Sequence, residues 1–381
     1  MKLSFNKNDL QGAIQIVQSS IPNKSTLPIL SNILIKVSKA SKCPGPKVWL
    51  EATDLEVGIR ASVKAEILKE GKITVPGKKF GDLVREMPDG SEIEISSVDG
   101  KRVDFKCGKV KAALMSLPFE DFPAIPEFPT GKKLSLDKSV FREMLKKTAF
   151  AVSTDETRYV LNGIFFGSSG GELKTVATDG RRLAFISRPG AEDNISANVI
   201  IPSKAISELL RLLSQDENGA ASAIQIAPFE NQISFQWASG AEEIVLVSRV
   251  IDGTFPNYDQ VIPKSKEIEL QVKTQEIFSA IKRSALFAQD RGGSVRFSLT
   301  QGKLKVSANA HGLGEEEEEL EVDYKGPDFE IAFNPQFLLD SLKNNDSPEV
   351  RFEFSTALNP GLIKPSDSDR YLCVIMPMRL Q

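Results

Sequence analysis

The residues with most scope for chemistry are two aspartates in matching settings, Ala52-Thr53-Asp54-Leu55 and Ala177-Thr178-Asp179-Gly180, together with one histidine, His311, and three cysteines, Cys43, Cys107 and Cys373. An acid–base hydrolase built on Asp54 and Asp179 is the enzymatic reading. It is weak, because the third comparable segment, Ala308-Asn309-Ala310-His311, carries no acid. An aspartate in Thr-Asp-Gly more simply bonds its own backbone and forms a turn. No Gly-x-x-x-x-Gly-Lys-Ser/Thr phosphate loop and no dinucleotide fingerprint occurs. One histidine and three scattered cysteines nearly exclude a His/Cys metal site and a disulfide framework, and they fit a reducing cytoplasm. The expectation is a protein that is not an enzyme, with no cofactor and no metal.

The elements that must position any site come in threes. Lys2-Leu3-Ser4-Phe5, Lys133-Leu134-Ser135-Leu136 and Ile268-Glu269-Leu270-Gln271-Val272 each alternate as a strand and run into a polar-capped helix. Later, Ile73-Thr74-Val75-Pro76, Val199-Ile200-Ile201-Pro202 and Ile331-Ala332-Phe333-Asn334-Pro335 each lead a strand into a second helix, with proline expected in its first turn. Those helices carry apolar stripes, such as Phe80, Leu83, Val84 and Met87. Pro-rich stretches, Phe122-Pro123 with Ile125-Pro126 and Phe255-Pro256 with Ile262-Pro263, close the first two copies. The pattern predicts an α+β protein of three repeated domains, 1–129, 130–264 and 265–381, each with two helices and about eight strands of antiparallel sheet.

Charge separates along the same plan. The six helical windows, 7–20, 76–87, 137–151, 202–214, 273–289 and 335–345, sum to +6. The rest must carry −9 to reach the chain's −3. Helices gathered on one surface would attract phosphate there, while the remaining surface would repel it. Aromatic residues form no base-stacking platform, so contact with a duplex backbone, independent of base sequence, is expected. No stretch is long and apolar enough to cross a membrane, and the opening Met1–Asn6 lacks the apolar core of a secretion signal.

Thr26-Leu27-Pro28-Ile29-Leu30, Thr53-Asp54-Leu55-Glu56, Arg158-Tyr159-Val160-Leu161-Asn162-Gly163, Thr175–Ala184, Asp252-Gly253-Thr254-Phe255-Pro256-Asn257-Tyr258 and Met376-Pro377-Met378-Arg379-Leu380 together resemble, in order and spacing, the bacterial DNA polymerase III β subunit, the β sliding clamp. The resemblance spans essentially the whole chain. It implies the DNA-clamp fold: a head-to-tail homodimer making a six-domain ring, helices inside and sheets outside. It implies a processivity factor that encircles duplex DNA and tethers the replicative polymerase α subunit, the clamp-loader complex, and other polymerases and repair proteins carrying clamp-binding motifs.

Residue by residue, the resemblance assigns DNA contact to Lys24, Lys78 and Tyr159, supported by Arg142, Lys146, Lys147, Lys204, Lys282 and Arg283. It assigns an apolar peptide pocket to Leu161, Thr178, Gly180, Arg181, Arg182, Leu183, Pro256, Val261, Asn334, Phe337, Leu358, Val374, Met376, Pro377, Met378 and Arg379. Methionines there would let one cleft adapt to several partners. Ala112 and Leu114 fall on the domain-one edge of the subunit seam, and Leu286 and Phe287 on its domain-three partner. Gln260, where relatives often carry a basic residue, and the glycine-rich Asp290-Arg291-Gly292-Gly293 put the motif preference in question. The acidic run Glu315–Glu319 is a further expectation: at the seam it would pair with Lys78, Lys79, Lys109 or Lys111 of a second chain, making closure salt-sensitive. A scaffold that uses the pocket without encircling DNA is the remaining alternative.

Overall fold

In the computed structural model the described residues are 1–39, 46–169, 171–190, 197–214, 223–239, 242–288, 293–310 and 314–379. Cys43, His311 and residues 290–292 lie outside them.

The first repeat runs β1 (Lys2–Asn6), α1 (Lys7–Gln18), β2 (Asn32–Lys39), β3 (Pro46–Thr53), β4 (Val57–Val63), β5 (Glu66–Lys69), β6 (Lys72–Pro76), α2 (Gly77–Arg85), β7 (Glu92–Ser96), β8 (Arg102–Cys107) and β9 (Val110–Met115). The second runs β10 (Leu134–Asp137), α3 (Lys138–Ala149), β11 (Gly163–Ser169), β12 (Glu172–Thr178), β13 (Arg182–Pro189), β14 (Ala197–Pro202), α4 (Ser203–Ser214), β15 (Ala223–Phe229), β16 (Gln232–Ser239) and β17 (Glu242–Arg249). The third runs β18 (Ile268–Lys273), α5 (Thr274–Ser284), β19 (Val295–Thr300), β20 (Lys303–Ala310), β21 (Gly314–Glu321), β22 (Phe329–Phe333), α6 (Pro335–Lys343), β23 (Glu349–Phe354), β24 (Gly361–Pro365) and β25 (Tyr371–Ile375). Apart from β5, the three series match element for element.

Local chemistry explains the repeated strand-to-helix step. Asn6 accepts from the Asn8 amide at 2.9 Å and Asn334 from the Gln336 amide at 2.9 Å, capping α1 and α6. Each such cap contributes about 1 kcal/mol. Of the three prolines, only Pro335 occupies a helix's first turn. Pro76 is the residue before α2 and Pro202 ends β14, where each still fixes the backbone on entry. Leu10, Ala13, Ile14 and Val17 form the buried stripe of α1. Strict alternation in β8 buries Val103, Phe105 and Cys107 and exposes Arg102, Asp104 and Lys106.

All strand pairs are antiparallel, in four sheets ordered β5-β1-β7-β8-β9, β10-β15-β16-β17-β4-β3-β2-β6, β14-β11-β12-β13-β25-β24-β23-β18 and β21-β20-β19-β22. The two eight-stranded sheets join consecutive repeats. β17 pairs with β4, Leu246 opposite Ile59, and β25 pairs with β13, Val374 opposite Leu183. These are counterpart strands: β4, β13 and β21 hold one position in the repeat, and β9, β17 and β25 another. Within these two sets, β4 has β17 and β13 has β25, whereas β21 and β9 lack that pairing and stand as edges of their sheets.

The chain forms two compact units, Met1–Arg142 with Lys204–Val250, and Glu143–Ser203 with Ile251–Gln381. Their division does not follow the repeats. The second repeat gives β10 and β15–β17 to the sheet of the first unit and β11–β14 to that of the second. Each unit has a counterpart apolar cluster at its joining strands. One gathers Ile29, Leu30, Phe122, Val245 and Val247, and the other Leu161, Leu183, Phe255, Leu372 and Val374.

Candidate binding surfaces

The second unit carries the expected cleft residues. The Thr178–Gly180 turn between β12 and β13 is wired through its own backbone. Asp179 Oδ1 accepts from the amides of Arg181 and Arg182 at 2.9 and 3.0 Å, and Thr178 Oγ1 donates to Arg182 O at 2.6 Å. Asp54 does the same in the first repeat, accepting from Glu56 and Val57 at 3.0 and 2.9 Å. Both aspartates are turn formers. Gly180 sits at φ +84°, a left-handed conformation that favours glycine; the only atom a Cβ would crowd is Arg158 Nη1, the tip of an exposed side chain that can move aside.

Leu161, Leu183 and Val374 are buried in one cluster with Phe255, Ile200 and Leu362, which makes an apolar floor. The terminal strip is pinned along its length. The Met376 amide donates to Arg181 O at 2.9 Å and the Met378 amide to Ala332 O at 2.7 Å. Gly361 lies opposite Ile375, so the turn bearing Leu358 is at the same end of the sheet as Met376. Leu358 is 79 % exposed, Val261 45 % and Met376 42 %. Among the described residues, the only other large apolar side chains this exposed in the second unit are Tyr159 and Leu286. All five are expected site residues. Pro256 and Arg379 are exposed, Pro377 and Met378 half-buried, and Arg181 exposed.

Arg182 differs from its expected role. Nε meets Asp179 Oδ2 at 3.1 Å, Nη1 meets Asp340 Oδ2 at 2.5 Å, and Nη2 donates to Phe150 O at 2.6 Å. Its guanidinium also lies 4.6 Å from the Phe337 ring centroid and 5.4 Å from that of Phe150. With its side chain 12 % exposed and all three nitrogens engaged, Arg182 is a tie between repeats beneath the cleft, not a wall presented to a ligand. Phe337 serves the same tie, and Asn334 is spent on the α6 cap.

Lys147 is likewise corrected. It is buried, pairs with Glu143 at 3.1 Å and Asp346 at 2.9 Å, and lies 5.0 Å from the Tyr371 ring centroid. A cation so enclosed is not offered to phosphate. Its neighbour Lys146 is exposed, as are Lys24, Lys78 and Lys282, and none of the four has a carboxylate partner among the described residues. Lys204 holds Asp54 at 2.5 Å and Glu56 at 3.0 Å. Burial works against its charge, but the two carboxylates outweigh that and raise the ammonium above its ordinary value. Arg283 pairs with Glu318 at 2.7 Å, and Arg142 is half-buried. Burial pushes the Cys373 thiol up to about 11, which leaves it inert near neutrality.

At the sheet edges, Ala112 and Leu114 are half-buried on β9. Leu286 and Phe287 follow α5 in a 3-10 turn, Leu286 63 % exposed. The acidic strand β21 is largely answered at home: Lys303 pairs with Glu319 at 2.7 Å, Lys305 with Glu317 at 3.1 Å, and Ser284 donates to Glu316. The sequence gives no local sign of these ties. They depend on which strands pair, although Lys-x-Lys opposite Glu-x-Glu is the trace they leave.

Comparison with known proteins agrees with this architecture. Family models match residues 1–126, 135–257 and 259–379, as the N-terminal, central and C-terminal domains of the DNA polymerase III beta subunit. The beta sliding clamp of Chlamydia muridarum is 35 % identical over 381 residues, covering 100 % of this chain and 99 % of the relative. That of Pseudomonas aeruginosa is 33 % identical, with 100 % of each chain covered. The crystal structure of the Pseudomonas aeruginosa DNA polymerase III subunit beta superposes with a TM-score of 0.91 at 32 % identity, covering 100 % of both chains. A sliding clamp from Bartonella birtlesii, bound to griselimycin, superposes at 0.89 with 36 % identity and the same coverage. The chain belongs to the DNA polymerase III beta subunit family, the beta sliding clamps, and is an accessory replication subunit, not an enzyme.

Proposed function

We propose that two chains close head to tail, β9 of each against β21 of the other, into a ring of six repeats that encircles duplex DNA in the cytoplasm. One observation carries this reading. The same strand pair joins repeats one to two and two to three, and its third instance is left as two open edges on one chain. A heterologous contact of this kind closes when the rotation per copy is right. Ala112 and Leu114 would meet Leu286 and Phe287 beneath the new strand pair.

Within the ring, the helices face the DNA. Lys24, Lys146 and Lys282 are the cations best suited to brush phosphate, with Tyr159 as a further contact and Arg142, Lys204 and Arg283 adding to the field. Lys78 holds the position in α2 that Lys204 holds in α4. Because Lys204 grips the turn after β3, Lys78 would grip the start of the partner's β21 near Glu315. Weak phosphate contacts suit sliding, since base readout would create sticking points. The cleft around Met376, Val261 and Leu358 takes leucine- and phenylalanine-bearing motifs of the polymerase α subunit, the clamp loader, and other polymerases and repair proteins.

Mass measurement tests closure. The wild type runs as a dimer at micromolar concentration. Leu114→Glu with Leu286→Glu gives folded monomers. A wild type that stays monomeric under these conditions would overturn the ring.

A further inference from the structure

A hollow of about 650 Å³ lies on the face of the first repeat's five-stranded sheet. Its lining includes five cations, Lys2, Lys69, Arg102, Lys106 and Lys111, against two carboxylates, Glu94 and Asp104. Register explains why they meet. Lys2 stands opposite Lys69 on one side and Ser96 on the other, and Glu94 stands opposite Lys106, itself opposite Lys111. The charges are therefore rows across one face of the pleat. Lys2 reaches Glu94 at 3.3 Å, Lys106 reaches it at 3.7 Å, and Arg102 holds Asp104 at 2.8 Å. Lys69 and Lys111 have no carboxylate partner among the described residues. This face is positive in a chain whose non-helical part is otherwise acidic, so the separation of basic helices from acidic strands is incomplete.

We propose that this hollow is a docking surface for an acidic peptide segment carrying an apolar residue. The case is charge complementarity joined to size. A hollow of this volume takes a few side chains. Val98, at its rim, is fully exposed and offers an apolar anchor. Glu94 and Asp104 stand inside it, so a continuous phosphodiester backbone would meet repulsion. An extended peptide with acids at alternate positions places them over Lys2, Lys69 and Lys106 and leaves neutral groups over the two carboxylates. A second chain's β21 is a poorer occupant, because its glutamates are already answered by Lys303, Lys305 and Arg283. Lys2 and Lys69 also stand three and four strands from the β9 edge, about 14–19 Å away.

The test uses the full chain at low salt and the anisotropy of a fluorescein-labelled oligoglutamate ending in leucine. Saturable binding is expected, weakened at least about tenfold in Lys2→Glu with Lys69→Glu, as for a lost pair of close charge contacts. Dimer mass and melting temperature should be unchanged in that variant, and Lys282→Glu should bind the peptide normally. Absence of saturation, or equal binding by the double variant, would overturn the proposal. Tighter binding of a single-stranded oligonucleotide at the same site would make it a nucleic-acid surface instead. Equal competition by inorganic phosphate would reduce it to a simple anion hole. Loss of the dimer in the double variant would assign the hollow to the subunit seam.

Discussion

Arg182 Nη1 meets Asp340 Oδ2 at 2.5 Å, and this pair ties the strand β13 of the second repeat to the helix α6 of the third. The side chains are 12 % and 24 % exposed, so the pair is largely desolvated. The same arginine holds Asp179, whose turn carries the proposed cleft residues Thr178 and Gly180. The Thr178–Gly180 turn and the packing of β13 against α6 therefore share one guanidinium.

Removing that guanidinium should cost stability before it costs specificity. Arg182→Ala leaves Asp340 and Asp179 partly buried without their cation, and should destabilise by roughly 2–3 kcal/mol after discounting for partial exposure. Arg182→Lys should recover part of this, since a lysine reaches one carboxylate but cannot fork to Phe150 O. Denaturant unfolding of the full chain measures both. Equal stability of all three proteins would remove Arg182 from its structural role.

The exposed cleft residues should behave in the opposite way. Met376→Ala and Leu358→Ala should each weaken a leucine/phenylalanine motif peptide by about 1–2 kcal/mol, or roughly five- to thirtyfold. Neither should move stability by more than about 0.5 kcal/mol, because both side chains already stand in water. Val374→Ala, by contrast, should lower stability by about 1–3 kcal/mol through a cavity in the floor. Titration calorimetry beside unfolding curves separates the two effects.

Adjacent lysines in α3 should differ. Lys146→Glu should shorten retention on circular DNA and reduce its salt dependence, because an exposed phosphate contact is lost. Lys147→Ala should instead destabilise the fold by about 1 kcal/mol, because Glu143 keeps Arg188 and Asp346 is largely exposed, which discounts the loss of their shared cation. If Lys147→Ala affected DNA retention alone, the assignment of Lys147 to the interior would be wrong.

Stability should also carry a pH signature. Burial pushes the Glu242 carboxyl up to about 7, with Asp9 adding to the rise and Lys64 opposing it. Its folded value lies above its ordinary value of 4.5, so folding favours the protonated form. That contribution is complete below about pH 4.5 and is lost as pH rises through about 7. Glu242→Gln should remove this loss and make the variant relatively more stable at pH 8 than at pH 5. Denaturant midpoints at the two pH values check it. Identical pH slopes in wild type and variant would contradict it.

Much of this was legible in the residues themselves. The repeat showed in the matched openings at Lys2 and Lys133, and Asp54 and Asp179 read correctly as turn formers, because short-range spacing determines both. The residues of the proposed cleft, Met376 among them, come from motif resemblance, and the structure adds that Met376, Val261 and Leu358 are exposed. Lys147 and Arg182 were not, because helical and strand periodicity cannot say which flank meets a carboxylate from another repeat. The neutralisation of Glu317 and Glu319 depends on the pairing of β20 with β21, and the sharing of the second repeat between two compact units depends on pairings over a hundred residues apart.

Release from DNA whose ends have been opened tests the ring most directly. The protein is loaded on nicked circular duplex by a clamp loader, and the circle is then cut once. A closed ring slides off the ends, so the bound fraction falls after cutting while an uncut control retains it. Equal retention on cut and uncut DNA would mean that the chain grips a surface and does not encircle it.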